Sequence, residues 1–150
     1  MVVALNATPS FDGKPFRFSR QFRLKSPLAI RQAMQDGQSV RKRLHGFRVV
    51  CAAVAAGTQT RVPQFAFVVS RDAGPAVTRN RIKRRLREAV RIQRDAWPTA
   101  PSRVIFRVNE STVAALPFLD LLAEVDSALR FSKNSAIARL PQKQGADGHA

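Results

Sequence analysis

The chain has 150 residues, 45% of them hydrophobic, and carries 26 Lys and Arg against 10 Asp and Glu for a net charge of +16. That apolar content excludes a disordered polymer, and the length predicts one domain with a real core. The charge exceeds what solubility needs and implies a polyanionic partner, either nucleic acid or an acidic membrane surface. No apolar run approaches the ~20 residues of a spanning helix, which favours nucleic acid and predicts no membrane association. The N-terminus lacks the charged and apolar regions of a secretory signal. The lone Cys51 cannot form an internal disulfide and reads as a buried structural thiol. Together these features predict a cytoplasmic protein.

Residues 1–20 contain Pro9, Gly13 and Pro15 without periodicity and read as a flexible extension. Phe11, Phe16, Phe18 and Phe22 are interleaved with Lys14, Arg17, Arg20 and Arg23. This pattern fits RNA contact by stacking plus charge, or packing of some phenylalanines on the domain. A short helix follows, with Ser26 as N-cap, Pro27 at its first position, Gly37 just past its end and Ile30, Ala33 and Met34 on one face. Arg41-Lys42-Arg43 reads as a basic connection. Strands are predicted over Phe47–Ala55 and Gln64–Ser70, separated by a turn region from Gly57 to Pro63. The loop from Arg71 to Val77 leads into a basic helix.

That helix spans Thr78 to Trp97, with eight basic residues between Arg79 and Arg94 and one acid, Glu88. Ile82, Leu86, Ala89, Val90 and Gln93 form one stripe at helical spacing, with Trp97 on the same side. Asn80, Arg84, Arg87 and Arg91 project from the opposite side, and Ile92 falls among the basic residues. Thr78 is the expected N-cap and Pro98 the stop. A solvated surface helix usually mixes its charges so that i,i+4 pairs form. Here arginines face one another, as expected of a surface neutralised by an anionic partner.

Beyond Pro98, Val104–Val108 reads as a third strand, Asn109–Thr112 as a turn and Pro117–Arg130 as an amphipathic helix. Residues 132–150 lose periodicity and read as a disordered tail. The predicted fold class is α+β, with helices covering a small sheet. Glu110, Asp120, Glu124 and Asp126 gather in the last segment, which directs the final helix away from a polyanion.

No catalytic centre is legible. The two histidines, His45 and His149, are far apart in sequence and no Cys/His cluster has zinc spacing. Gly74 stands alone, so there is no Gly-rich phosphate loop, and the acids do not gather for two-metal chemistry. His45 is expected to face solvent rather than serve a triad. The residues by themselves describe an RNA- or DNA-binding protein, with ribosomal, RNA-chaperone, nucleoid and membrane-surface roles as alternatives.

The run Arg79-Asn80-Arg81-Ile82-Lys83-Arg84, preceded by Gly74-Pro75-Ala76-Val77, closely resembles the signature of the bacterial ribonuclease P protein component. The resemblance extends more loosely from Arg23 to about Phe131 and suggests a domain over 21–131. It implies an α-β sandwich on a small four-stranded mixed sheet, like the second domain of a small-subunit ribosomal protein. Its crossover would be left-handed, against the usual rule. It also implies an accessory subunit that joins a large catalytic RNA and precursor tRNA in removing the 5′ leader. Magnesium would sit mainly on that RNA, with no cofactor, metal or small-molecule substrate on the protein. By position, the RNA-binding residues are Arg79, Asn80, Arg81, Lys83, Arg84 and Arg87, to which the wheel adds Arg91. The implied leader cleft takes Ile30 and Met34 from the first helix, Phe47 and Val49 from the first strand, and Ser70 and Arg71 from the end of the second strand and the loop that follows. Ile30 and Met34 stand where relatives often carry aromatics, which predicts less base stacking. Asp72 stands where a basic residue is common and Pro75 where a polar one is, so the loop should grip phosphate less and turn more stiffly.

Overall fold

The structure, a computed structural model, describes residues 18–36, 38–54, 57 and 60–135. Chain order is α1 (Pro27–Gln35), β1 (Val40–Leu44), β2 (Phe47–Ala52), β3 (Gln64–Val69), α2 (Ala76–Ile92), β4 (Arg103–Val108), α3 (Thr112–Ala115) and α4 (Phe118–Lys133). Four strands form one mixed sheet in the order β1-β2-β4-β3. β2 pairs antiparallel with β1 and β4, whereas β3 and β4 run parallel across the α2 crossover.

Alternation along the strands divides the sheet into two faces. Phe47, Val49, Cys51, Phe65, Val104, Phe106 and Val108 belong to the larger core, with the buried sides of α2 and α4. Val50, Ala52, Ala66 and Ile105 belong to a smaller cluster with Leu24 and Ala33, and Ile30 and Met34 pack at its edge. The expected stripe of α2 is buried: Ile82, Leu86, Ala89 and Val90 are each 0% exposed. Each large apolar side chain there contributes about 1.5–3 kcal/mol, an upper estimate. A like-charged i,i+4 pair costs only about 0.2–0.5 kcal/mol, so packing holds the helix despite its arginines. Gln93 continues the stripe by donating to the Ala89 and Leu122 carbonyls at 3.2 and 3.0 Å. Trp97 donates from Nε1 to the Val90 carbonyl at 2.8 Å and packs on Phe65, Phe22 and Phe18.

Several boundaries differ from the sequence expectation. Arg41–Arg43 is not a connection but the centre of edge strand β1. Lys42 occupies the core-side position between Val40 and Leu44, with its ammonium 5.9 Å from the Phe131 ring centroid. An amphipathic Lys there hides the alternation, and charge on an edge strand discourages pairing with other chains. Helix α2 begins at Ala76 after Pro75, so Thr78 lies in the first turn and is not the N-cap. Ser26 caps α1 as expected, accepting from the Ala29 amide at 3.2 Å. Thr112 belongs to α3 and not to a turn, and the expected roles of Gly37 and Ala55 lie outside the described residues.

Phe18 and Phe22 are 7% and 5% exposed, which resolves these two toward packing, while Phe11 and Phe16 lie outside the described residues. Packing continues past Phe131 as well, where Ser132 and Ser135 are buried. Burial raises the pKa of the Cys51 thiol, with Ser135 Oγ 3.9 Å from its sulfur. Gly46 closes the β1–β2 hairpin at φ 91°, where an added Cβ would lie 3.2 Å from Val113 Cγ2. Beside it His45 is exposed, and its amide donates to Glu124 Oε1 at 3.1 Å.

Candidate nucleic-acid interface

The basic residues of α2 divide according to the partners their side chains find. Arg79 turns back on the preceding loop and donates from Nε to the Gly74 carbonyl at 3.0 Å. Arg81 and Arg85 reach the end of α3, both donating to the Ala114 carbonyl at 3.1 Å. The second Arg85 terminal nitrogen meets the Leu116 carbonyl, and its guanidinium lies 5.8 Å from the Phe118 ring centroid. Burial, followed by repulsion from Arg81, lowers the Arg85 pKa. These arginines brace the fold, although Arg81 remains exposed. Arg91 is paired with Glu88, which it approaches through two nitrogens. That bond holds the Glu88 carboxyl below its usual range and raises the Arg91 pKa.

Asn80 and Arg84 are exposed, and Lys83 and Arg87 are half-buried. The Arg87 guanidinium lies 6.0 Å from the Phe67 ring centroid. Its pKa is lowered by burial, then by repulsion from Arg23 and Arg84. Three guanidiniums thus gather where α2 meets the N-terminal segment. Arg23 belongs to this group through its bridge to Phe65 and its contact with the Phe18 carbonyl at 3.4 Å. Sequence reading placed Arg23 only in the N-terminal interleaving of aromatic and basic residues and did not join it to α2, because the signature begins more than fifty positions later and only the sheet brings the two together. None of the three has an ion pair with an acid among the described residues, and neighbouring cations of this kind form a surface suited to phosphate. Ile92 is 39% exposed, and nothing in the structure explains it.

The second feature is a cleft of about 610 Å³ between α1 and the smaller face of the sheet. Ile30 and Met34 line it as expected, and Val50 and Val68 complete the apolar floor. Phe47 and Val49 do not line it. They are 5% and 0% exposed and belong to the core on the other face. Their neighbours Arg48 and Val50 take the cleft positions, because successive strand residues alternate between faces. Ser70 and Arg71 also lie outside the lining. Ser70 donates its amide to the Val108 carbonyl at 2.9 Å just past β3, with its hydroxyl buried and unpartnered among the described residues. Arg71 and Asp72 are exposed in a 3-10 turn.

Arg41, Arg48 and Arg107 line the same cleft. Arg41 also donates to the Met34 carbonyl at the end of α1. Among the described residues, no group of three His, Cys, Asp or Glu could hold a metal ion, and no helix is long and apolar enough to cross a membrane.

A family model for ribonuclease P matches residues 18–132. The chain is 38% identical over 108 residues to the ribonuclease P protein component of Symbiobacterium thermophilum, covering 71% of this chain and 87% of that protein. It is 32% identical over 128 residues to the component from Acidothermus cellulolyticus, covering 85% and 95%. In fold it is similar to the RNase P protein of Staphylococcus aureus, with TM-score 0.58 at 21% identity over 75% of this chain and 95% of that one. The Thermotoga maritima RNase P protein gives TM-score 0.57 at 20% identity, covering 72% and 94%. The chain belongs to the ribonuclease P protein component family.

Proposed function

We propose that this chain binds the catalytic RNA of ribonuclease P and the 5′ leader of precursor tRNA, and so assists endonucleolytic removal of the leader. The observation that carries the reading is the outer surface of α2. Asn80, Lys83, Arg84 and Arg87 point away from its buried stripe, and the helix's one acid, Glu88, is engaged by Arg91. This surface seats the protein on the catalytic RNA, with guanidiniums binding phosphate in a bidentate manner. The cleft below α1 takes the single-stranded leader. Its aliphatic floor supplies shape and apolar contact where an aromatic one would stack bases.

The chemistry is RNA-borne in this reading: magnesium sits on the catalytic RNA, and the protein acts through binding. The protein supplies binding energy and neutralises charge where RNA meets RNA, in the cytoplasm. Binding assays with the protein assembled on a bacterial ribonuclease P RNA test the leader function. Precursor tRNA should bind more tightly than mature tRNA, and the difference should depend on the protein. Equal affinities would refute leader recognition.

A further inference from the structure

Strand register places three arginines side by side on the open sheet face. Arg43 of β1 lies opposite Arg48 of β2, which lies opposite Arg107 of β4. The row ends at Val68 of β3, opposite Arg107. Directly opposed residues stand about 4.5–5.5 Å apart at Cβ, and like charges there are destabilising. The sheet accepts this arrangement twice in succession. No ion pair to any of the three is found among the described residues. Arg43 is exposed, and Arg48 and Arg107 are half-buried.

The row also links two depressions. Arg48 and Arg107 line the cleft under α1, and with Arg43 they line a second cavity of about 270 Å³ near the β1–β2 hairpin. Asn109 and Glu110 close that far end, where Glu110 Oε1 accepts from the Thr112 hydroxyl at 3.3 Å. The result is a line of guanidiniums beside an aliphatic floor, with an acid at its end. Such a line suits a chain of regularly spaced phosphates. The floor of the cleft under α1 is aliphatic, and Phe47, which borders the second cavity, is only 5% exposed, so the track offers little aromatic surface for telling bases apart.

We propose that Arg43, Arg48 and Arg107, aligned across β1, β2 and β4, form a phosphate track that grips the leader backbone irrespective of its base sequence. This rests on the leader reading above and adds the residues and the chemistry of recognition. Phosphate contact fixes position and carries no sequence information, so the track serves precursors with unrelated leaders. Glu110 repels phosphate and marks where the grip ends.

The test uses the protein assembled with ribonuclease P RNA, comparing wild type with Arg48→Gln and Arg107→Gln. Each variant should bind precursor tRNA about tenfold more weakly, as expected for one lost charge-assisted contact. Each should flatten the salt dependence by about 0.7 in logarithmic slope, the increment for one phosphate on a single strand. Mature tRNA should bind as before. A leader with abasic nucleotides should preserve the difference between wild type and variants, whereas neutral methylphosphonate linkages should erase it. Neither variant should unfold at lower temperature, since each relieves like-charge opposition. A lower unfolding temperature would make the arginines structural. Equal weakening of mature and precursor tRNA, or loss of the difference with an abasic leader, would overturn the track. If wild type prefers precursor and the variants do so equally, the track fails while leader binding stands. If wild type shows no preference, leader binding itself fails.

Discussion

Arg84 and Arg85 are adjacent in sequence and identical in chemistry, yet replacing each with Ala should have opposite consequences. Arg84 is exposed on the outer side of α2 and has Arg87 as a repelling neighbour. Removing it should change folding stability by no more than about 0.5 kcal/mol, the usual range for an exposed position. It should flatten the salt dependence of RNA binding by about one unit of logarithmic slope if it neutralises one phosphate. Arg85 donates to the Ala114 and Leu116 carbonyls and covers Phe118. Its loss removes two charge-assisted hydrogen bonds, each worth about 1.5–3 kcal/mol when fully buried. The site is only half-buried, and water replaces part of what is lost, so about 1–3 kcal/mol of destabilisation is expected. Thermal unfolding of the isolated proteins and salt titration of their RNA complexes separate the two effects. Equal unfolding temperatures with equal slope changes would refute the division of α2 into bracing and RNA-facing arginines.

Leu86→Ala should destabilise the fold by about 2–5 kcal/mol, because Leu86 is 0% exposed at the centre of the α2 stripe, and denaturant unfolding measures it. Glu88→Gln should release Arg91 toward RNA and steepen the salt slope of binding, and an unchanged slope would show that Arg91 faces no phosphate. Glu88 is held below its ordinary carboxylate range, so its stabilising pair is fully present above the unfolded value of 4.5 and is lost as pH falls through the lower folded one. The contribution is small at this exposure, and the stability difference between wild type and Glu88→Gln should vanish in acid. Ile30→Phe should tighten binding of precursor tRNA relative to mature tRNA by giving a leader base a stacking partner, and an equal effect on both would place Ile30 away from the leader.

The stripe of α2 was legible because four apolar residues recur at helical spacing, and every one of them is buried. Edge strand β1 was not. Lys42 sits where alternation demands an apolar side chain, and its ammonium lies over the Phe131 ring of a distant helix. The side of the sheet facing α1 was misassigned for a related reason. Val49, Val50, Cys51 and Ala52 are all apolar, so hydrophobicity alone cannot separate the two faces of β2. Arg48 was the available signal, since a single charge in such a strand must point to the less covered side. The bracing roles of Arg81 and Arg85 depend on carbonyls about thirty residues away, which helical periodicity cannot register. Local spacing thus exposed the helix's inner stripe, while the assignment of its outer arginines required the tertiary fold.

The central claim is that this protein works through a catalytic RNA. Its most direct test is the rate of 5′-leader cleavage at low magnesium by a bacterial ribonuclease P RNA, with and without the protein. The account predicts much faster processing when the protein is present and no cleavage by the protein alone. A rate no better than that of the RNA by itself, or cleavage by the protein without RNA, would contradict it.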